Sequence, residues 1–139
     1  MGRSFQVTFD CLSVDLQASF WAAALGYEIE SPPDGAASWV EFFEARGLPA
    51  PEPDSFALLS DPDGNGPRLY LQRVSEPKAA KNRMHLDIEV PAAERRAEID
   101  RLVGLGATAG PEHTMNPDDP DAYWVVMQDP EGNEFCIGG

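Results

Sequence analysis

Histidine and cysteine are scarce in this chain of 139 residues, which holds only His85, His113, Cys11 and Cys136. No Cys-x-x-Cys pair occurs, so the usual structural zinc site is excluded, and any metal would have to borrow Asp, Glu or Gln. Two cysteines make no disulfide framework and read as free thiols of a reducing compartment. Basic residues are also few: ten Lys and Arg against 24 Asp and Glu leave a net charge of −14. Nucleic-acid binding needs clustered cations that displace counterions, so that partner class is excluded. An anionic membrane surface is disfavoured for the same reason. No apolar run approaches the roughly 18 residues of a membrane span. No basic stretch followed by an apolar one opens the chain as a secretory signal would. The expectation is a cytoplasmic protein with a solvated acidic surface.

What is present is a repeat. Hydrophobic residues make up 42% of the chain, enough for a real interior. Ser4-Phe5-Gln6-Val7-Thr8-Phe9-Asp10-Cys11 alternates with the period of a half-buried strand. A helix is predicted from Asp15 to Leu25, with Leu16, Phe20, Trp21 and Ala24 on one stripe and Gly26 as its stop. Arg83-Met84-His85-Leu86-Asp87-Ile88-Glu89 alternates again. Pro91 then opens a second helix, in which Ile99, Leu102 and Val103 share a side and which ends at Gly106.

The two series match in order. Thr8-Phe9-Asp10 parallels His85-Leu86-Asp87, and Ala24-Leu25-Gly26-Tyr27 parallels Gly104-Leu105-Gly106-Ala107. Asp61-Pro62-Asp63-Gly64-Asn65 is answered by Asp129-Pro130-Glu131-Gly132-Asn133. Each of these turns lies between two apolar strands, and Gly and Asn tolerate the positive φ that a tight hairpin needs. One such turn is weak evidence; two at the same stage of the same series indicate duplication. The expected organisation is a single domain, 1–139, with a first βαβββ module over 4–74 and a second over 83–138. Ser75 to Asn82 forms a charged linker. The first module carries an insertion from about Ser31 to Ser55. Within it, Ser38-Trp39-Val40-Glu41 has the form of a capping box opening a short helix through Arg46, stopped by Gly47. The Pro-rich stretch Leu48 to Asp54 is loop, and Gly110 to Asp121 is expected to be a polar loop.

Duplicated βαβββ units with an Asp-Pro-Asp/Glu-Gly-Asn hairpin before the last strand resemble the vicinal-oxygen-chelate superfamily of glyoxalases, bleomycin resistance proteins and dioxygenases. Phe20-Trp21, Ala24-Leu25-Gly26-Tyr27, Lys81-Asn82-Arg83 with His85-Leu86-Asp87, and Asp129 to Cys136 look like a glyoxalase-like subgroup of bacterial proteins. The resemblance covers about Phe5 to Ile137. It implies an α+β fold of two modules whose curved sheets form a cup, with helices behind and ligand in front, and it implies a homodimer. Reaction type does not follow from it, because the superfamily holds isomerases, dioxygenases and metal-free antibiotic-binding proteins.

Alternation sorts the side chains of such a cup. Phe5, Val7, Phe9 and Cys11 should face the helix, leaving Gln6, Thr8 and Asp10 toward the cup. Met84, Leu86 and Ile88 should be core, leaving Arg83, His85, Asp87 and Glu89 toward it. Tyr70 and Gln72 face it from the fourth strand, and Glu134 and Cys136 from the last. The ligand-binding candidates are therefore Thr8, Asp10, Tyr70, Gln72, His85, Asp87, Glu134 and Cys136, with His85 and Asp87 the candidate catalytic pair. Metal-dependent relatives take a histidine or glutamine at the opening strand of each module and a glutamate near its end. Thr8 and Cys136 stand where two of those ligands are expected. No cofactor or metal is therefore expected. The weak alternative ligands are His85, Gln72, Glu134 and Cys136, and a His/Cys/carboxylate zinc site is the form a divalent metal would take.

Each residue also has a plainer reading. His85 can be a cup-lining histidine bonded to a neighbouring carboxylate, and Cys136 an inert, half-buried thiol. Trp21, Tyr27, Trp39 and Trp124 can stack on a planar ligand or simply pack. Trp39 and Phe42 are the candidates for a lid. Lys81, Asn82 and Arg83 can steer an anion or merely solvate a linker. Two functions stay open: a metal-independent small-molecule binder that sequesters a drug or metabolite, and a lyase or isomerase using His85 with a cup carboxylate.

Overall fold

A computed structural model describes residues 1–139. The chain forms two compact units, Met1–Pro77 and Lys78–Gly139, which divide within the charged linker. Each unit is built on one open four-stranded sheet.

In the first unit, β1 (Val7–Cys11), α1 (Val14–Leu25), β2 (Glu28–Ile29), α2 (Trp39–Glu44), β3 (Phe56–Ser60) and β4 (Leu69–Arg73) follow in order. The sheet order is β1-β4-β3-β2, with β1 parallel to β4 and the remaining pairs antiparallel. α1 starts where the Ser13 hydroxyl accepts the Leu16 N–H, and it stops at Gly26, whose φ of 68° favours glycine. Its buried face carries Val14, Gln17, Ala18, Phe20, Trp21 and Ala24. Leu16, expected on that stripe, is 48% exposed, because the face turned to the sheet runs through Gln17 instead. Trp21 sits 5.2 Å from Phe9 and 5.3 Å from Phe20. It belongs to the core with Leu59, Leu69 and Leu71. Phe5, expected to face the helix, is 71% exposed. The β1–β4 ladder begins at Val7 opposite Leu69, so Phe5 lies beyond the paired strand. Ser38 caps α2 through the Glu41 N–H, and Glu41 reaches back to the Ala37 N–H rather than to that of Ser38. The helix ends at Glu44, two residues short of the expected Arg46.

The second unit repeats the plan with β5 (Asp87–Glu89), α3 (Ala92–Gly104), β6 (Thr108–Thr114), β7 (Tyr123–Gln128) and β8 (Glu134–Gly138). Its order is β5-β8-β7-β6, again with the first pair parallel. Leu102, Val125, Met127, Phe135 and Ile137 form the core. Three expectations are corrected. The strand expected over Arg83–Glu89 shrinks to three residues, and Met84 is 89% exposed rather than core. Asp87 already lies opposite Cys136, near the start of β8, so Met84 and the residues before it have no strand to pair with. Val103 is exposed, and α3 ends at Gly104 with Leu105 as its cap. Finally, the loop expected over Gly110–Asp121 begins later, because β6 continues to Thr114. β6 is an edge strand with an irregularity between Ala109 and Glu112, and Pro111 sits inside it, where no ladder N–H is required.

The two turns that revealed the repeat are built alike. The Asp61 carboxylate accepts the N–H groups of Asp63, Asn65 and Gly66, and that of Asp129 accepts those of Glu131 and Asn133. Gly64 and Gly132 take φ of 72° and 87°. The ladders correct one equivalence, however. Tyr70 faces Leu58 and Cys136 faces Val126, each of these partners standing three residues before its turn aspartate. Thr8 lies opposite Tyr70, whereas Asp87 lies opposite Cys136. Thr8 therefore corresponds to Asp87, not to His85, and Tyr70 corresponds to Cys136. A two-residue slip keeps every side chain on its face, so alternation alone does not reveal it.

Candidate functional site

Burial of Phe135 and Ile137 against the α3 side turns Cys136 and Gly138 to the opposite face of the second sheet. The same alternation carries Asp87 and Glu89 there, and His85, just before β5, lines the same cavity. β7 adds Trp124 directly opposite Gly138. A Cβ on Gly138 would stand 2.9 Å from the Trp124 Cβ and 3.1 Å from the Tyr123 carbonyl oxygen, so glycine is what lets the indole strand lie this close. The chain between β6 and β7 then brings Met115 and Asp121 over the rim. Together these groups line an open cavity of about 550 Å³. Trp124 is steadied by the His113 ring, stacked at 5.5 Å and 26°.

Inside the cavity, His85 Nδ1 lies 3.0 Å from Asp87 Oδ1. A proton held on Nδ1 by that carboxylate leaves Nε2 as an acceptor. The donor atoms of His85, Asp87 and Cys136 all lie within 4.8 Å of one another. Burial pushes the Cys136 thiol up from its ordinary range, and the charge of Asp87 and a hydrogen bond to it push further. Cys136 thus keeps its proton at neutral pH, which speaks against a nucleophile.

Glu134, also a candidate, is used elsewhere. It accepts the Asn82 N–H at 2.9 Å and pairs with Lys78 Nζ at 3.0 Å. The backbone N–H, with Lys78 beside it, holds its carboxyl at about 2. The remaining candidates lie on the first sheet, on the face turned away from α1. There Gln72 Nε2 donates to Asp10 Oδ1 at 2.7 Å, and Thr8 lies opposite Tyr70. Tyr70 stacks on Phe56 at 5.8 Å and 14°, and Trp39 lies 5.4 Å from Phe56. Trp39 also lines a second cavity of about 420 Å³ together with Asp15 and Asp54. Trp21 is core, and Tyr27 sits beside the Asp61 turn, where burial and the Asp61 charge raise its phenol. Met115 and Asp121 were not legible in advance. They lie in sequence read as polar loop, and only chain folding carries them to β5 and β8.

As metal ligands, the second unit offers one imidazole, one carboxylate and one thiol that retains its proton. Manganese and similar hard ions take oxygen-rich octahedral sites, which this set does not fit. Zinc accepts all three donor types, but from a deprotonated thiol and commonly with a fourth ligand.

A family model described as a glyoxalase-like domain matches residues 6–138. No curated protein matches the chain. Among solved structures, a mutant of the fosfomycin resistance protein FosX from Listeria monocytogenes, complexed with Mn(II) and 1S,2S-dihydroxypropylphosphonic acid, aligns with a TM-score of 0.68 at 11% identity, covering 99% of this chain and 88% of that one. A possible glyoxalase from Bacillus cereus aligns at 0.64 and 16%, covering 99% and 98%. A glyoxalase/bleomycin resistance protein/dioxygenase family enzyme from Burkholderia phytofirmans aligns at 0.62 and 15%, covering 95% and 94%. Likeness at such identities establishes the fold.

Proposed function

Because the chain belongs to the glyoxalase-like domain family, we propose that it is a small-molecule-binding protein whose site is the cavity of the second unit and which needs no metal. The observation that carries this reading is the cavity itself. At about 550 Å³ it has the size of a drug-like ligand site, and a mainly apolar wall of Met115, Tyr123 and Trp124 meets a small convergent polar group. The apolar wall holds the body of the ligand, and His85 with Asp87 fixes its polar group. Sequestration of a drug or metabolite needs nothing more. The Listeria neighbour is a resistance protein carrying Mn(II), but the donor set here does not fit that ion, which favours binding without it.

One observation favours a second reading. The His85–Asp87 pair has the form of an oriented base, as a lyase or isomerase would use.

A thermal-shift screen of small organic molecules against wild type and His85→Ala tests both. Ligands found with the wild type should bind the variant more weakly by about 1–2 kcal/mol, the cost of one hydrogen bond in a partly dry site. Equal affinities in the two proteins would remove His85 from the site. Mass spectrometry of the recovered ligand separates the roles: an unchanged mass supports binding, and conversion lost in His85→Ala supports catalysis. Elemental analysis after gentle purification should find well under one equivalent of metal per chain. A stoichiometric metal that disappears in His85→Ala would overturn the metal-free reading.

A further inference from the structure

We infer that the cavity of the second unit selects an organic cation, a flat ring bearing an ammonium or amidinium group. The inference rests on that cavity being a binding site, as proposed above. Its charged lining has one sign. Asp87, Glu89 and Asp121 contribute carboxylates, and no lysine or arginine lines it. Glu89 and Asp121 carry no ion pair with a basic side chain, while Asp87 shares its carboxylate with His85. An anionic ligand would meet three like charges beside an apolar wall, where screening by water is weaker than in bulk. A cation meets the opposite sign at Asp87, Glu89 and Asp121.

The aromatic wall points the same way. Tyr123 and Trp124 line the cavity, and ring faces attract cations as well as stacking on flat ligands. The His113 ring stacked on Trp124 limits the freedom that ligand stacking would otherwise have to remove. The polarisable thioether of Met115 adapts to a ring edge. One surface thus provides a seat for the ring and carboxylates for the charge. The net charge of −14 draws cations toward the chain as a whole, but acidic surface by itself offers no ring contact. That difference separates a site from a general attraction.

Three probes with the same ring test it: 1-naphthylmethylammonium, 1-naphthalenemethanol and 1-naphthylmethylphosphonate. Each is titrated into the full chain at low salt and followed by amide NMR. The ammonium should bind at least roughly tenfold more tightly than the alcohol, with shifts centred on β5, β7 and β8, and the phosphonate should not bind. In a Glu89→Gln/Asp121→Asn variant, the ammonium should come within about threefold of the alcohol measured on the same variant. Alcohol binding at the cavity as tight as the ammonium, or tighter, would overturn the cation inference and leave the site standing. Phosphonate binding at the ammonium's strength would do the same. Ammonium shifts spread over carboxylates of both units, with no focus on β7 and β8, would reduce the inference to a surface charge effect and overturn it. Absence of binding by all three would overturn both the inference and the proposed site.

Discussion

A carboxylate that accepts a backbone N–H and faces an ammonium is a stronger acid than one in water. Glu134 is in that position, bonded to Asn82 and paired with Lys78, and its carboxyl lies at about 2 against an ordinary 4.5. A folded-state value below the unfolded one stabilises the fold fully above pH 4.5, and the contribution is lost as pH falls through about 2. Glu134→Gln should therefore cost about 1–3 kcal/mol at neutral pH, because the bond from the Asn82 N–H loses its charge and the ion pair with Lys78 goes. The difference between variant and wild type should shrink as the pH falls from 4.5 toward 2, as urea denaturation at each pH would report. A constant difference across that range would mean that Glu134 acts by packing and not by charge. The same residue shows why polar type alone did not assign roles: Glu134 and Asp87 both appeared as cup carboxylates, and one of them anchors the linker.

Elements here are set by close backbone approach as much as by side-chain pattern. β6 shifts register between Ala109 and Glu112, and a Cβ on Gly110 would stand 2.6 Å from the Val126 carbonyl oxygen. Real side chains do not approach backbone that closely, so Gly110→Ala must push β6 away from β7. The expected cost is about 1–3 kcal/mol, with faster hydrogen exchange at amides along β6. Gly104→Ala is the contrast: nothing lies within 4 Å of its Cβ at the end of α3, and it should be neutral or stabilise by up to about 1 kcal/mol. Chemical denaturation midpoints compare the two. A harmless Gly110→Ala would show that the edge strand has slack which the pairing does not reveal.

For the molecule as a whole, ten basic side chains cannot neutralise 24 carboxylates, and the folded chain repels itself. Salt screens that repulsion over distances of about 10 Å at 0.1 M. Raising sodium chloride from about 10 to about 300 mM should therefore raise Tm by roughly 2–4 °C. A falling Tm would mean that the ion pairs Arg46–Asp34, Arg68–Glu30 and Arg101–Glu98 outweigh the general repulsion. No helix is long and apolar enough to cross a membrane. Both units use one plan, a parallel outer pair followed by antiparallel strands, and the repeated turns had implied the duplication though not the strand directions.

Read along the chain, the residues were sufficient for the duplicated strand–helix series, the Ser13, Gly26 and Ser38 boundaries, and the turns at Asp61 and Asp129. Each of these is local: a cap, a positive φ or an Asx bond depends on residues within a few positions. Alternation likewise placed Thr8, Asp10, Tyr70, Gln72, Asp87 and Cys136 on the face away from the helix, because a strand's period is a property of its own backbone. Tertiary structure alone decided where each ladder begins. That choice exposed Phe5 and Met84, which have the polarity of core residues but lie outside paired strand. It also matched Thr8 to Asp87 instead of His85, a slip that leaves every face unchanged and so leaves no trace in the pattern. The wall of the cavity was decided the same way. Met115, Asp121 and Trp124 reach Asp87 and Cys136 only because β7 pairs with β8 and β8 with β5. Hydrogen bonds between segments distant in sequence set that neighbourhood, and no local preference encodes them.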